Sequence, residues 1–210
     1  MNITEILKLG PVMPVIVIDD AAQAVPLADA LLNGGINSIE ITLRTPAALD
    51  AIAAVAKARP QMAVGAGTIL TADDAANAAE AGAVFAVSPG ATDAIIAGCA
   101  SASIPLLPGA ASVSEMLALG EQGFDCLKFF PAGQSGGVKF LAAVASPLPH
   151  FTFCPTGGVS LENAPDYLAL ANVACVGGSW IAPADLIAKG EFEEICTRAS
   201  KAAQLASRLQ

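Results

Sequence analysis

A single α/β domain folded as a closed (β/α)8 TIM barrel is the architecture this sequence predicts, and three observations predict it. Short, nearly continuous apolar runs recur at even spacing along the 210 residues. Between them lie Ala- and Leu-rich segments, several opened by residues that start helices. No linker or low-complexity tract interrupts the alternation, so residues 1–210 read as one domain. Strands that are apolar on both faces and alternate with helices are parallel strands covered by helices.

The elements follow in order. Residues 2–10 read as a short N-terminal helix ahead of the first strand, PVMPVIVI (11–18). Asp19 or Asp20 then opens AAQAVPLADALLNGG, which stops at Gly34–Gly35. SIEITL (38–43) is the second strand, and Thr45–Pro46 opens AALDAIAAVAKARP. QMAVGAG (61–67) is the third, with Thr71 opening ADDAANAAEAG. VFAVSP (84–89) is the fourth, and Ser88 to Thr92 leads into DAIIAGCA. IPLLPGA (104–110) is the fifth, followed by a helix in which Ser112 and Glu115 have capping-box spacing. CLKFF (126–130), HFTFCPTG (150–157) and VACVGG (173–178) complete the eight, and residues 190–207 form the last helix. Eight units in roughly 200 residues is the lower end for this barrel. A doubly wound sheet is the rival, but it favours a nucleotide fingerprint. GAGTIL (65–70) has Leu70 where a third glycine is required, and GQSGGVK (133–139) lacks the GK[ST] ending.

Composition narrows the function. With 54% hydrophobic and 14% charged residues, the chain builds a large core and is not disordered. A net charge of −9 without a basic patch argues against a nucleic-acid partner. MNITEILKLG carries Glu5 and Lys8 and does not read as a signal peptide. Residues 94–114 and 140–161 lack Asp, Glu, Lys and Arg, but prolines and glycines break both, so no membrane span is expected. Cys99, Cys126, Cys154, Cys175 and Cys196 are odd in number and form no CxxC; they read as buried small hydrophobes of a cytoplasmic protein. His150 is the one histidine, and no metal or cofactor is expected.

In a barrel of this kind, chemistry collects at the C-terminal ends of the strands. Side chains alternate, so Glu40, Thr42 and Arg44 share one face while Ile39, Ile41 and Leu43 share the other. The aliphatic face belongs against helices, which turns Glu40 and Arg44 inward. A structural ion pair at the mouth is the plainer alternative. Thr68 ends the third strand beside two glycines, as a site hydroxyl or as a helix cap. Lys128 shares a face with Cys126 and Phe130, and points inward if Leu127 and Phe129 meet the helices. A buried ammonium is costly unless paired or at work. A pair with Glu40 alone would contribute little stability, so a nucleophilic amine is the stronger reading. Pro155-Thr156-Gly157-Gly158 and Gly177-Gly178-Ser179 follow the last two strands, where such barrels bind phosphate through backbone N–H groups.

EITLRT (40–45), GAGT (65–68), LKFFPA (127–132), FCPTGG (153–158) and GGSW (177–180) occur in series from about residue 4 to 207. In order and spacing the chain resembles the bacterial 2-keto-3-deoxy-6-phosphogluconate (KDPG) aldolases, which often also cleave 4-hydroxy-2-oxoglutarate (KHG). The resemblance implies a class I Schiff-base aldolase, commonly homotrimeric, acting on a phosphorylated 2-keto acid without a cofactor. It places the Schiff-base lysine on Lys128 and the general acid/base on Glu40. Arg44 and Thr68 would hold the pyruvate carboxylate, and Phe130 would line the pocket. Thr156 would contact substrate, with Gly157, Gly158, Gly178 and Ser179 around the phosphate. Gly133 departs from the family, many members of which carry an acidic residue there; this bears on loop detail. Two alternatives stay open: an aldolase for the galactonate-derived epimer, and a phosphosugar-binding barrel that is not an aldolase.

Overall fold

The computed structural model describes residues 1–205. Nine strand segments lie among them: β1 (Val12–Ile16), β2 (Ser38–Thr42), β3 (Ala63–Gly67), β4 (Phe85–Val87), β5 (Leu106–Leu107), β6 (Gly109–Ala110), β7 (Cys126–Phe129), β8 (Thr152–Pro155) and β9 (Val176–Gly178). Every ladder between them is parallel. The result is a curled parallel sheet with helices on its outer face. Its ladders form two arcs, β5-β4-β3-β2-β1-β9 and β6-β7-β8. Isolated parallel bridges, Phe153 with Val173 and Thr156 with Gly177, lie between β8 and the segment of β9.

The single strand expected over 104–110 is two. Pro108 splits it, because proline has no N–H to give a ladder. Its carbonyl still serves, accepting the Lys128 N–H at 2.9 Å. So β5 pairs with β4 and β6 with β7.

The helices are α1 (Ile3–Leu7), α2 (Ala24–Asn33), α3 (Ala48–Ala58), α4 (Ala72–Glu80), α5 (Asp93–Ser101), α6 (Val113–Glu121), α7 (Gly137–Val144), α8 (Ala164–Leu168), α9 (Ala184–Lys189) and α10 (Phe192–Ala203). Capping boxes close α4 through Thr71 and Asp74, and α6 through Ser112 and Glu115. Asp20 caps a 3-10 turn, Ala21–Gln23, ahead of α2. The expected start at Thr45–Pro46 differs: α3 begins after Ala47 with no side-chain cap. The Thr45 hydroxyl donates instead to the Ile18 carbonyl, tying this loop to the end of β1. The first helix is shorter than residues 2–10, and α10 lies within the expected 190–207, of which 206 and 207 fall outside the described residues.

Two apolar clusters result. The larger fills the space between sheet and helices and includes Ile39, Ile41, Leu127 and Phe129. The smaller packs on the concave face: Ile6 and Leu7 of α1 meet Met13, Phe85, Val87, Leu107, Cys126, Cys154 and Cys175. All five cysteines are free, and Cys196 alone of them is not buried. The two uncharged stretches are cut into short elements, and no helix among the described residues is long and apolar enough to cross a membrane.

Phe85 is fully buried on the concave face, and Gly65 of β3 makes room for its ring. Phe85→Ala should therefore cost about 3–5 kcal/mol, the usual range for emptying an aromatic site. Urea unfolding should show a lower midpoint with an unchanged slope.

Candidate active site

The site begins with strand alternation. Leu127 and Phe129 of β7 point into the outer cluster, so Lys128 between them points to the concave face. Ile39 and Ile41 do the same for Glu40 on β2. The two side chains meet: Lys128 Nζ donates to Glu40 Oε1 at 3.3 Å. They are 3% and 2% exposed. No other carboxylate forms an ion pair with Lys128 among the described residues.

Beneath this pair the floor is neutral. Cys126 lies 3.4 Å from the Thr4 hydroxyl, and burial pushes its thiol up to about 11. The Cys175 thiol donates to Cys154 Sγ at 3.6 Å; that contact, with burial, raises it well above the ordinary thiol range. Near pH 7 both thiols are protonated and give Lys128 no competing anion. Helix α1 closes the layer from below through Ile6 and Leu7.

Above the pair the site opens. Phe130 stands with its ring centroid 5.2 Å from Lys128 Nζ. Arg44 is exposed, and its Nε donates to Thr68 Oγ1 at 3.1 Å. Thr68 has a φ of 62°, a sparsely populated region for a residue with a side chain. It does not cap α4, whose caps are Thr71 and Asp74. On the other side Thr156 is buried, its hydroxyl donating to the Cys154 carbonyl at 3.4 Å. Gly157 and Gly158 follow with φ of 93° and 75°, which glycine adopts freely. Their loop is tied to the Phe130–Pro131 turn by Ala132 N–H to Thr156 O at 2.8 Å and Gly133 N–H to Gly157 O at 2.9 Å.

A cleft of about 140 Å³ lies between these groups, lined by Val15, Val17, Arg44, Phe130, Thr156, Gly157, Gly158, Val159, Gly177 and Ser179. Lys128 and Glu40 do not line it, but its Phe130 wall stands over Lys128. Larger cavities lie elsewhere, such as one of about 470 Å³ lined by residues of α2 and α10, but it contains neither member of the buried pair.

The residues singled out in the sequence thus gather as Lys128 with Glu40 and Phe130, Arg44 with Thr68, and Thr156 to Gly158 with Ser179. Gly178 differs from its neighbours: a side chain there would run into the Trp180 indole, and Gly177 lines the cleft instead. Val15, Val17 and Val159 were not anticipated, since apolar residues in apolar strands carry no chemical signal. His150 is exposed and packs against Phe151, with ring centroids 4.2 Å apart. No group of three or more His, Cys, Asp or Glu suited to holding a metal occurs among the described residues.

This arrangement has close counterparts. The family profile for KDPG and KHG aldolase matches residues 3–198. The "KHG/KDPG aldolase" of Escherichia coli (strain K12) is 48% identical over 95% of this chain and 93% of its own. A crystal structure of KDPG aldolase from Legionella pneumophila, "with pyruvate captured at low pH as a covalent carbinolamine intermediate", is 42% identical with a TM-score of 0.92, covering 95% of this chain and 97% of that one. A 2-keto-3-deoxy-6-phosphogluconate aldolase of Zymomonas mobilis ZM4 with 3-phosphoglycerate is 42% identical with a TM-score of 0.92, covering 98% and 97%.

The pair has a consequence for stability whatever its chemistry. Lys128→Met leaves the Glu40 carboxylate buried without its counter-charge, a loss of about 3–5 kcal/mol. Lys128→Met with Glu40→Met removes both charges and should recover most of that loss. Denaturant midpoints of the two variants against the parent chain measure it.

Proposed function

The chain belongs to the KDPG and KHG aldolase family, and from that membership and the site geometry we propose that it cleaves KDPG to pyruvate and glyceraldehyde 3-phosphate through a Schiff base on Lys128. The observation that carries this reading is the buried Lys128–Glu40 pair beneath a cleft edged by Arg44 and a glycine loop. Cleavage of KHG to pyruvate and glyoxylate is a second activity, supported by the name of the Escherichia coli relative.

Glu40 accepts a proton from the Lys128 ammonium, leaving an amine whose lone pair attacks the C2 carbonyl. The carbonyl oxygen takes the proton that the attacking nitrogen sheds, directly or through a water, to give the carbinolamine. Glu40 returns its proton to that hydroxyl, which leaves as water, and the C2 iminium forms. Removal of the C4 hydroxyl proton by Glu40, directly or through a water, lets the C3–C4 bonding pair fall onto C3. The pair delocalises into the iminium as an enamine while C4 becomes the aldehyde. Protonation of C3 and hydrolysis then release pyruvate and restore Lys128. The pyruvate captured as a carbinolamine in the Legionella pneumophila relative supports the first half of this path.

Arg44 and Thr68 are assigned to the pyruvate carboxylate, which a guanidinium holds through charge-assisted hydrogen bonds. Phe130 walls the reacting carbons and Thr156 contacts the sugar chain. Gly157, Gly158 and Ser179, which line the cleft, are assigned to the phosphate, with Gly178 expected in the same loop although it does not line the cleft; that the Zymomonas mobilis relative takes 3-phosphoglycerate supports a phosphorylated substrate. No cofactor or metal enters this scheme.

The wider reading extends the same way. The two strand arcs form one closed (β/α)8 barrel and one domain; supporting this are the shared concave cluster, drawn from both arcs, and the bridges beside β9. The protein acts in the cytoplasm as a homotrimer. Exposed Leu70, Val113 and Leu117, the last two one turn apart on α6, offer apolar surface for the contact.

Incubation with pyruvate and borohydride should inactivate the protein and leave a secondary amine on Lys128, found by peptide mass spectrometry. An adduct on another lysine, or none, would sink the Schiff-base assignment.

Replacing Gly158 by Val blocks N–H approach and strains the loop at a φ of 75°. The loss of charge-assisted bonds, about 1.5–3 kcal/mol, should lower kcat/KM for KDPG by about 10–100-fold. KHG, which has no phosphate, should lose far less. Equal losses on both substrates would make the loop structural.

A further inference from the structure

We propose that Gly67 is a positioning residue: its missing side chain is the slot that holds the Glu40 carboxylate against Lys128. The inference rests on the reading of Glu40 as proton carrier. In the β2–β3 ladder Glu40 is registered with Gly65, and Thr42 with Gly67. Yet the Glu40 side chain does not end over Gly65. A Cβ on Gly67 would lie 2.6 Å from Glu40 Cγ and 2.7 Å from Cδ, and would overlap Oε1. That is the same oxygen that accepts the Lys128 bond at 3.3 Å. The carboxylate therefore leans one strand repeat toward the C-terminal end of β3, away from the floor.

The space over Gly65 is already taken. A Cβ there would run into the ring of Phe85. Two bare positions on one face of β3 thus hold two different things: Gly65 an aromatic ring and Gly67 a carboxylate. Glycine at 67 is not needed for its backbone, which lies outside the positive-φ region. Its carbonyl accepts the Leu43 N–H at 2.8 Å, a bond that any residue makes. What glycine supplies there is room. The group that a methyl would displace is the end of a flexible side chain, so the fold yields by moving the carboxylate.

Gly67→Ala should fold and still bind the keto acid, with KM changed no more than a few-fold. Its kcat should fall by the order expected for Glu40→Gln, about 10²–10⁴-fold for lost acid/base help. Because Gly67 acts through Glu40, adding Gly67→Ala to Glu40→Gln should cost nothing further. Stability gives a second reading of the same cycle: alanine at 67 should lower the unfolding midpoint beside Glu40 and leave it unchanged beside Glu40→Ala, where the slot is vacant. Native turnover in Gly67→Ala, or a loss that adds in full to that of Glu40→Gln, overturns the proposal while leaving Glu40 its role. Native turnover in Glu40→Gln removes both.

Discussion

One ammonium facing one carboxylate in an apolar interior is the interaction around which the molecule is arranged. Lys128 and Glu40 are among the least exposed polar groups in the chain. Two charges withdrawn from water are expensive, and their mutual attraction rarely repays the cost in stability. Everything next to the pair limits that cost or directs it. The outward neighbours on each strand are aliphatic or aromatic and lock into the outer core, so neither strand can turn its charge to solvent without exposing them. The thiols and Phe85 below exclude water and add no charge. The opening above is where, on the proposed chemistry, an incoming carbonyl meets the amine.

The concave face is layered by polarity. Its base is apolar and sealed by α1, its middle carries the pair, and its rim carries Arg44, Thr68 and the positive-φ turn of Gly157 and Gly158. Arg44, assigned above to a carboxylate, is exposed to water at that rim. The amine lies deeper, with its hydrogen bond to the Glu40 carboxylate and the Phe130 ring above it.

Much of this was legible in the sequence because strand alternation is local. Aliphatic residues on both sides of Glu40 and Lys128 sufficed to turn both inward. The caps at Thr71 and Ser112 were legible for the same reason, since their partners lie three residues on. Features that depend on contacts between distant segments were not. Thr45 looked like a cap, but its hydroxyl is taken by the Ile18 carbonyl, two residues past the end of β1. The proline that splits the fifth strand was visible, yet its effect depends on which neighbours claim the groups on each side. The contribution of Gly67 is space for a side chain 27 positions earlier (67 − 40), and no pattern within one strand could reveal it. Val15 and Val17 line the cleft through position alone.

In the closed barrel proposed above, the seal that α1 makes across the base turns the site into a blind well. Substrate and both products must use the same doorway. On the proposed chemistry the pyruvyl fragment is tethered to the lysine at depth while the phosphorylated aldehyde sits at the lip. The aldehyde blocks the exit and is the first fragment to lose its covalent link. Departure is then sequential, outer fragment before inner, and in the reverse direction pyruvate must be loaded first. On that chemistry, the kinetic order of the reaction is set by a five-residue helix at the opposite end of the concave face from the opening.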